Sequence, residues 1–201
     1  MAAVVPAGLW LTAVSASGLI LIGLAGLVVG WAYSAPPLQL QSRGLGEFAI
    51  TAGWLLVVIG SDFVQRHGFS FVPIAAGLGF ALLVANVLYI NQFPDVKADA
   101  SAGKNTVVVR LGVAKARWGY VVIAVLAYGW PLLMVLQGHL PAAALIALLP
   151  AAASVAATRQ LWSNAGQPAE LTPALKLTIL AASLHGLLLA IILSMPWSRL
   201  G

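Results

Sequence analysis

The chain has 201 residues, 61% of them hydrophobic and only 7% charged, with a formal net charge of +5. Ordinary soluble chains carry about 25% charged residues, so a water-soluble globular domain is excluded. With no cysteine, so are a disulfide framework, a thiolate metal site and a cysteine nucleophile.

The apolar residues fall in blocks of about 20, the length at which a helix crosses a hydrocarbon core of roughly 30 Å. Six spans result, at residues 7–31, 48–65, 71–92, 118–137, 141–160 and 173–196. The expected fold is all-α, a polytopic transmembrane bundle of six helices forming a single domain in the lipid bilayer. The first span has no basic residue before it and is too long for the apolar core of a signal peptide. Pro36 and Pro37 stop it, and Gly44 and Gly46 permit a tight re-entry into the second span. Arg43 and Glu47, in that connection, are expected as a solvated ion pair. Asp62 and Arg66, four apart at the end of the second span, suit a surface ion pair. His67 and His139 lie in short loops as interfacial spectators. Asn86 in the third span and Ser183 and His185 in the sixth are expected to hydrogen-bond between helices. Trp10, Trp31, Trp118, Trp162 and Trp197 lie near span ends, as an interfacial aromatic belt requires. Small residues such as Gly23 and Gly26, Gly77 and Gly79, and Ala181 and Ala182 permit close helix packing in lipid.

Seven basic residues, Arg43, Lys97, Lys104, Arg110, Lys115, Arg117 and Arg159, occupy the first, third and fifth connections, with Lys176 just inside the sixth span. The opposite side has only Arg66 and Arg199. The positive-inside rule puts the first group in the cytoplasm and Met1 outside. Basic residues scattered at helix ends in this way serve topology and give no indication of nucleic-acid binding.

The longest polar connection carries the chemistry. Asn91, Asp95 and Asp99 are spaced by four, so on a helical end they stack along one face. Two carboxylates and an amide oxygen suit a hard cation such as Mg²⁺, which takes one or two carboxylates and leaves its other positions to water and phosphate. Lys104 and Arg110 follow, and cations beside such a site suit diphosphate oxygens. Pro94 is placed to bend the helix between the first two ligands. The plainer alternative is a loop in which Asp95 and Asp99 are solvated and pair with Lys97.

Two stretches together resemble the UbiA superfamily of intramembrane aromatic prenyltransferases, and within it the 1,4-dihydroxy-2-naphthoate prenyltransferases of menaquinone synthesis. The first is Tyr33-Ser-Ala-Pro-Pro37 followed by Arg43-Gly-Leu-Gly-Glu47. The second is Asn91-Gln-Phe-Pro-Asp95 and Asp99, then Ala102-Gly-Lys104 and Val108-Val-Arg110-Leu-Gly112. The resemblance implies Mg²⁺-dependent transfer of a polyprenyl group from its diphosphate to an aromatic acceptor such as dihydroxynaphthoate. It implies Asp95 and Asp99 as catalytic residues, Asn91, Asp95 and Asp99 as metal ligands, and Tyr33, Arg43, Lys104 and Arg110 as substrate contacts. It further implies a multi-pass protein of the inner (cytoplasmic) membrane with its active-site loops in the cytoplasm. Family members have nine helices and two Asp-rich motifs. No Asp or Glu precedes Glu47 here, so the resemblance covers the second motif and the fourth to ninth helices. The expectation is therefore a piece of a longer enzyme, inactive without the preceding three helices. The rival class is a transporter or non-catalytic membrane scaffold, with the Asp loop as a solvated gate.

Overall fold

The computed structural model describes residues 4–195. Pro196, Trp197 and Arg199, to which the sequence assigns the end of the last span, an aromatic-belt position and an outer charge, lie outside the described residues, as does Met1. The helices are α1 (Val4–Val14), α2 (Leu19–Ser34), α3 (Gly46–Arg66), α4 (Val72–Ser101), α5 (Val107–Leu111), α6 (Val113–Leu136), α7 (Ala151–Asn164) and α8 (Thr172–Ser194). Short 3₁₀ turns lie at Leu40–Ser42, Ala142–Leu148 and Pro168–Leu171. Among the described residues there is no strand, and the protein is a helical membrane bundle, as its hydropathy dictates.

Three spans differ from their expected form. The first breaks into α1 and α2 around Ser15, Ser17 and Gly18. The Ser15 hydroxyl donates to the Leu11 carbonyl, 2.6 Å away, and serine and glycine are poor helix formers. Among the described residues, five segments remain long and apolar enough to cross a membrane. The fifth span begins as the 3₁₀ turn Ala142–Leu148, and Pro150, which has no N–H to donate, caps the start of α7. The third span does not end near residue 92. Hydrogen-bonded helix runs through Pro94 to Ser101, so the polar "loop" is the last three turns of α4.

α4 is the axis of the bundle and packs against α3, α6 and α8. Its buried positions Ala75, Gly77, Gly79, Ala81 and Ala85 are small, which lets neighbouring backbones approach. At Gly79 backbone meets backbone: a Cβ there would lie 2.7 Å from the Ala127 carbonyl oxygen and 3.2 Å from Pro131. Pro131 has no N–H to take the Ala127 carbonyl four residues back. That carbonyl is therefore free to face α4, and only glycine leaves room for it.

Polar side chains inside the bundle find partners on other helices, as lipid demands. Asn86 donates to the Tyr120 carbonyl at 3.2 Å and Tyr89 to the Ala116 carbonyl at 2.7 Å. The Tyr120 and Thr178 hydroxyls meet at 2.9 Å. His185 Nδ1 lies 2.7 Å from the Ala147 carbonyl, so Nδ1 carries the hydrogen. Asn86 and His185 thus bridge helices as expected, whereas Ser183 makes no side-chain hydrogen bond among the described residues and lines an apolar groove. Asp62 and Arg66 form their ion pair at 2.7 Å.

The basic connections share one end. The Asn105 N–H donates to the Ser42 carbonyl at 2.7 Å, joining the first connection to the third. Arg117 donates to the Trp162 carbonyl at 3.3 Å and stacks over its ring, joining α6 to the end of α7.

Candidate functional site

The last three turns of α4 present Asn91, Asp95 and Asp99 one turn apart, rising about 6 Å per step. They line a small polar pocket of about 120 Å³. The opposite wall comes from Tyr33 at the end of α2, Glu47 in the first turn of α3, and Lys104 beyond α4. Asp95 is exposed, Asn91 half-buried and Asp99 buried.

The loop beyond α4 is folded back by two contacts on one residue. The Lys104 N–H donates to the Asp99 carbonyl at 2.9 Å, and its ammonium lies 2.8 Å from Asp99 Oδ1. That hydrogen bond, followed by the charge of Asp99, raises the Lys104 pKa above its ordinary value. Lys104 therefore stays a cation at the pocket wall throughout the physiological range, and Lys97 is not the partner of Asp99.

The pocket depends on the two loops lying against each other. Gly44 sits at φ +68°, and a Cβ there would come within 3.3 Å of the Asn105 carbonyl. Only glycine combines that backbone with that approach. Arg110 Nε donates to the Asn105 carbonyl at 2.9 Å, and its Nη2 to the Arg43 carbonyl at 2.5 Å. Arg43 donates to the Pro37 carbonyl at 2.6 Å. Both guanidinium groups expected as substrate contacts thus hold loop backbone and do not line the pocket. Tyr33, Asn91, Asp95, Asp99 and Lys104 are brought together; Arg43 and Arg110 act around them.

The expected Arg43–Glu47 ion pair does not form. The Glu47 carboxylate turns inward, is buried at 9% exposure, and accepts a short hydrogen bond from Gln92 Nε2. The Gln92 carbonyl in turn accepts from the Val108 N–H at 3.4 Å. Glu47 and Gln92 are the pocket residues that sequence reasoning missed. The available signal was weak: an acid at the start of a helix, where the macrodipole favours it, and an amide next to Asn91. Among the described residues, no three His, Cys, Asp or Glu side chains gather closely enough to hold one metal ion.

Two apolar grooves open on the bundle. One, of about 490 Å³, runs between α2 and α3 past Gly26, Trp54 and Val57. It ends at Tyr33, which also lines the polar pocket. The other, of about 470 Å³, lies among α3, α4 and α8 and shares no residue with that pocket.

Known proteins of one family resemble this chain. The family model described as the UbiA prenyltransferase family matches residues 1–180. A 1,4-dihydroxy-2-naphthoate octaprenyltransferase of Bacillus subtilis is 27% identical over 96% of this chain and 62% of its own length. The Haemophilus influenzae protein of the same name is 35% identical over 48% of this chain and 32% of its own length. A chloroplastic 2-carboxy-1,4-naphthoquinone phytyltransferase of Arabidopsis thaliana is 33% identical over 55% of this chain and 33% of its own length. The chain spans between about a third and three fifths of the length of these relatives. No solved structure matches it.

Proposed function

We propose that this chain, which belongs to the UbiA prenyltransferase family, serves in transfer of a polyprenyl group from an allylic diphosphate to a hydroxylated aromatic acceptor. The acceptor we favour is 1,4-dihydroxy-2-naphthoate, the compound named in its bacterial relatives. One observation carries the reading. A stripe of hard oxygen donors, a lysine ammonium and the mouth of an apolar groove meet at one end of a membrane bundle.

The donor set fits Mg²⁺. The Asn91 amide nitrogen donates to the Val87 carbonyl at 2.7 Å, which leaves its oxygen as the free ligand atom beside Asp95 and Asp99. Two carboxylates and one amide oxygen are the complement that Mg²⁺ takes when water and phosphate supply the rest. When bound, the ion neutralises charge developing on the departing diphosphate. Lys104 adds a cation in the same pocket, and Asp99 positions it. Tyr33 stands where the groove meets the pocket, so a prenyl tail lying between α2 and α3 delivers its diphosphate end to the carboxylates. The apolar helix walls exclude water from the allylic carbon. We place the pocket at the cytoplasmic face of the inner membrane, because the basic connections gather there.

The test is Mg²⁺-dependent binding of geranyl diphosphate to the purified chain. Saturable binding that is abolished by EDTA, and reduced at least about tenfold by Asp95→Ala or Asp99→Ala, supports the reading. A transporter or scaffold shows no such dependence. Binding that survives the double substitution removes the metal site.

A further inference from the structure

We infer that the Glu47 carboxylate is the seat of a ring hydroxyl of the aromatic acceptor, an inference that rests on the prenyl-transfer reading above. Glu47 stands apart from the other acids of the pocket. Asp99 has Lys104 as its counter-ion, and Asp95 is exposed to water. Glu47 is buried, and among the described residues no cation pairs with it. One oxygen of this carboxylate is bonded by Gln92, and the residue lines the pocket, where a donor on a bound molecule can complete the other.

Its orientation is fixed in advance. Gln92 can only donate to Glu47 through Nε2, because the Val108 N–H occupies the Gln92 carbonyl. The first turn of α3 adds the partial positive charge of a 21-residue helix. One Glu47 oxygen is thereby held, and no hydrogen bond among the described residues engages the other. Such a group is a preorganised acceptor at low entropic cost.

Its chemistry selects the occupant. Among the described residues, Glu47, Asp95 and Asp99 are not gathered closely enough to share one ion. A diphosphate is an anion and is repelled by it. A neutral donor suits it, and the hydroxyls of an electron-rich ring are such donors. A carboxylate hydrogen-bonded to a ring hydroxyl pushes electron density into the ring, which is what attack on an allylic carbon requires. The acids of the pocket thus divide their work: the α4 stripe takes the diphosphate side, and Glu47 the acceptor side.

The test compares two probes on the full chain in detergent, 1,4-dihydroxy-2-naphthoate under anaerobic conditions and 2-naphthoate, which lacks both hydroxyls. The wild-type chain is expected to prefer the dihydroxy compound about ten- to hundredfold, the range of one hydrogen bond to a charged group. Glu47→Gln should bring that preference to within about twofold. If Glu47 merely staples α3 to α4, the substitution weakens both probes equally and the preference persists, which overturns the inference. Should Glu47→Gln fail to fold, the wild-type chain still decides. Bound dihydroxynaphthoate must show a red-shifted absorption band, and an unshifted spectrum overturns the proposal. Wild-type chain that binds geranyl diphosphate with Mg²⁺ but does not distinguish the naphthoates refutes Glu47 alone. Binding of neither class of ligand refutes the prenyl-transfer reading as well.

Discussion

Lys104 carries its charge on a side chain that is 42% exposed and in contact with an Asp99 side chain that is 12% exposed. Because the pair raises the Lys104 pKa, its contribution to stability is fully present below the unfolded lysine value of about 10.4. It is lost as the pH rises through the higher folded value. Asp99→Asn should therefore move the Lys104 titration down towards the ordinary value, measurable by NMR on reductively methylated lysines. An unmoved titration would mean that the ion pair does not persist in solution. Asn91 allows a second test at this scale. Its nitrogen is committed to Val87, so Asn91→Asp keeps an oxygen ligand, whereas Asn91→Leu removes it. Mg²⁺ affinity should survive the first substitution and fall about tenfold or more with the second, followed by calorimetry.

At the level of elements, α4 and α6 cross with a carbonyl pressed against Gly79, and backbone cannot yield as a flexible side chain does. Gly79→Ala should destabilise the bundle by about 1–3 kcal/mol, the usual range for overpacking, read as a lowered melting temperature in detergent. Arg110 ties two loop carbonyls on the surface. Arg110→Ala should lose about 1 kcal/mol, given its exposure, and should speed proteolysis within residues 35–45. How much of this was legible follows from the range of each interaction. The long apolar spans and the Asn91–Asp95–Asp99 stripe are local patterns, and both are read from spacing alone. The break at Ser15–Gly18 escapes a hydropathy average, because two serines and a glycine hardly lower the mean of 25 residues. The Gln92–Glu47 bond joins residues 45 apart, and neither end carries a local mark of the other. The arginines misled for a different reason. Charge suggests an anion, but a guanidinium has five donors and serves backbone carbonyls equally well.

For the molecule as a whole, orientation follows from which connections share an end. Ser42 with Asn105 and Arg117 with Trp162 put three basic connections together. Cysteines introduced at Ala102 and Gln137, both exposed, should react with an impermeant maleimide from opposite faces of the membrane. Gln137→Cys should label in intact cells, and Ala102→Cys only after permeabilisation. Labelling of both from outside would overturn the orientation. The length of α4 adds a constraint of another kind. Its 30 residues span about 45 Å at 1.5 Å each, against a hydrocarbon core of roughly 30 Å. Counted from Val72, the core ends near Asn91, with Asp95 and Asp99 successive turns above it. The proposed ligands would therefore ride on a rod whose draught is set by the lipid. Longer acyl chains force α4 to tilt or draw Asn91 and Asp95 towards hydrocarbon, and shorter ones lift them clear. The chain would then gauge bilayer thickness, with Mg²⁺ affinity falling as the lipids of the host vesicle lengthen.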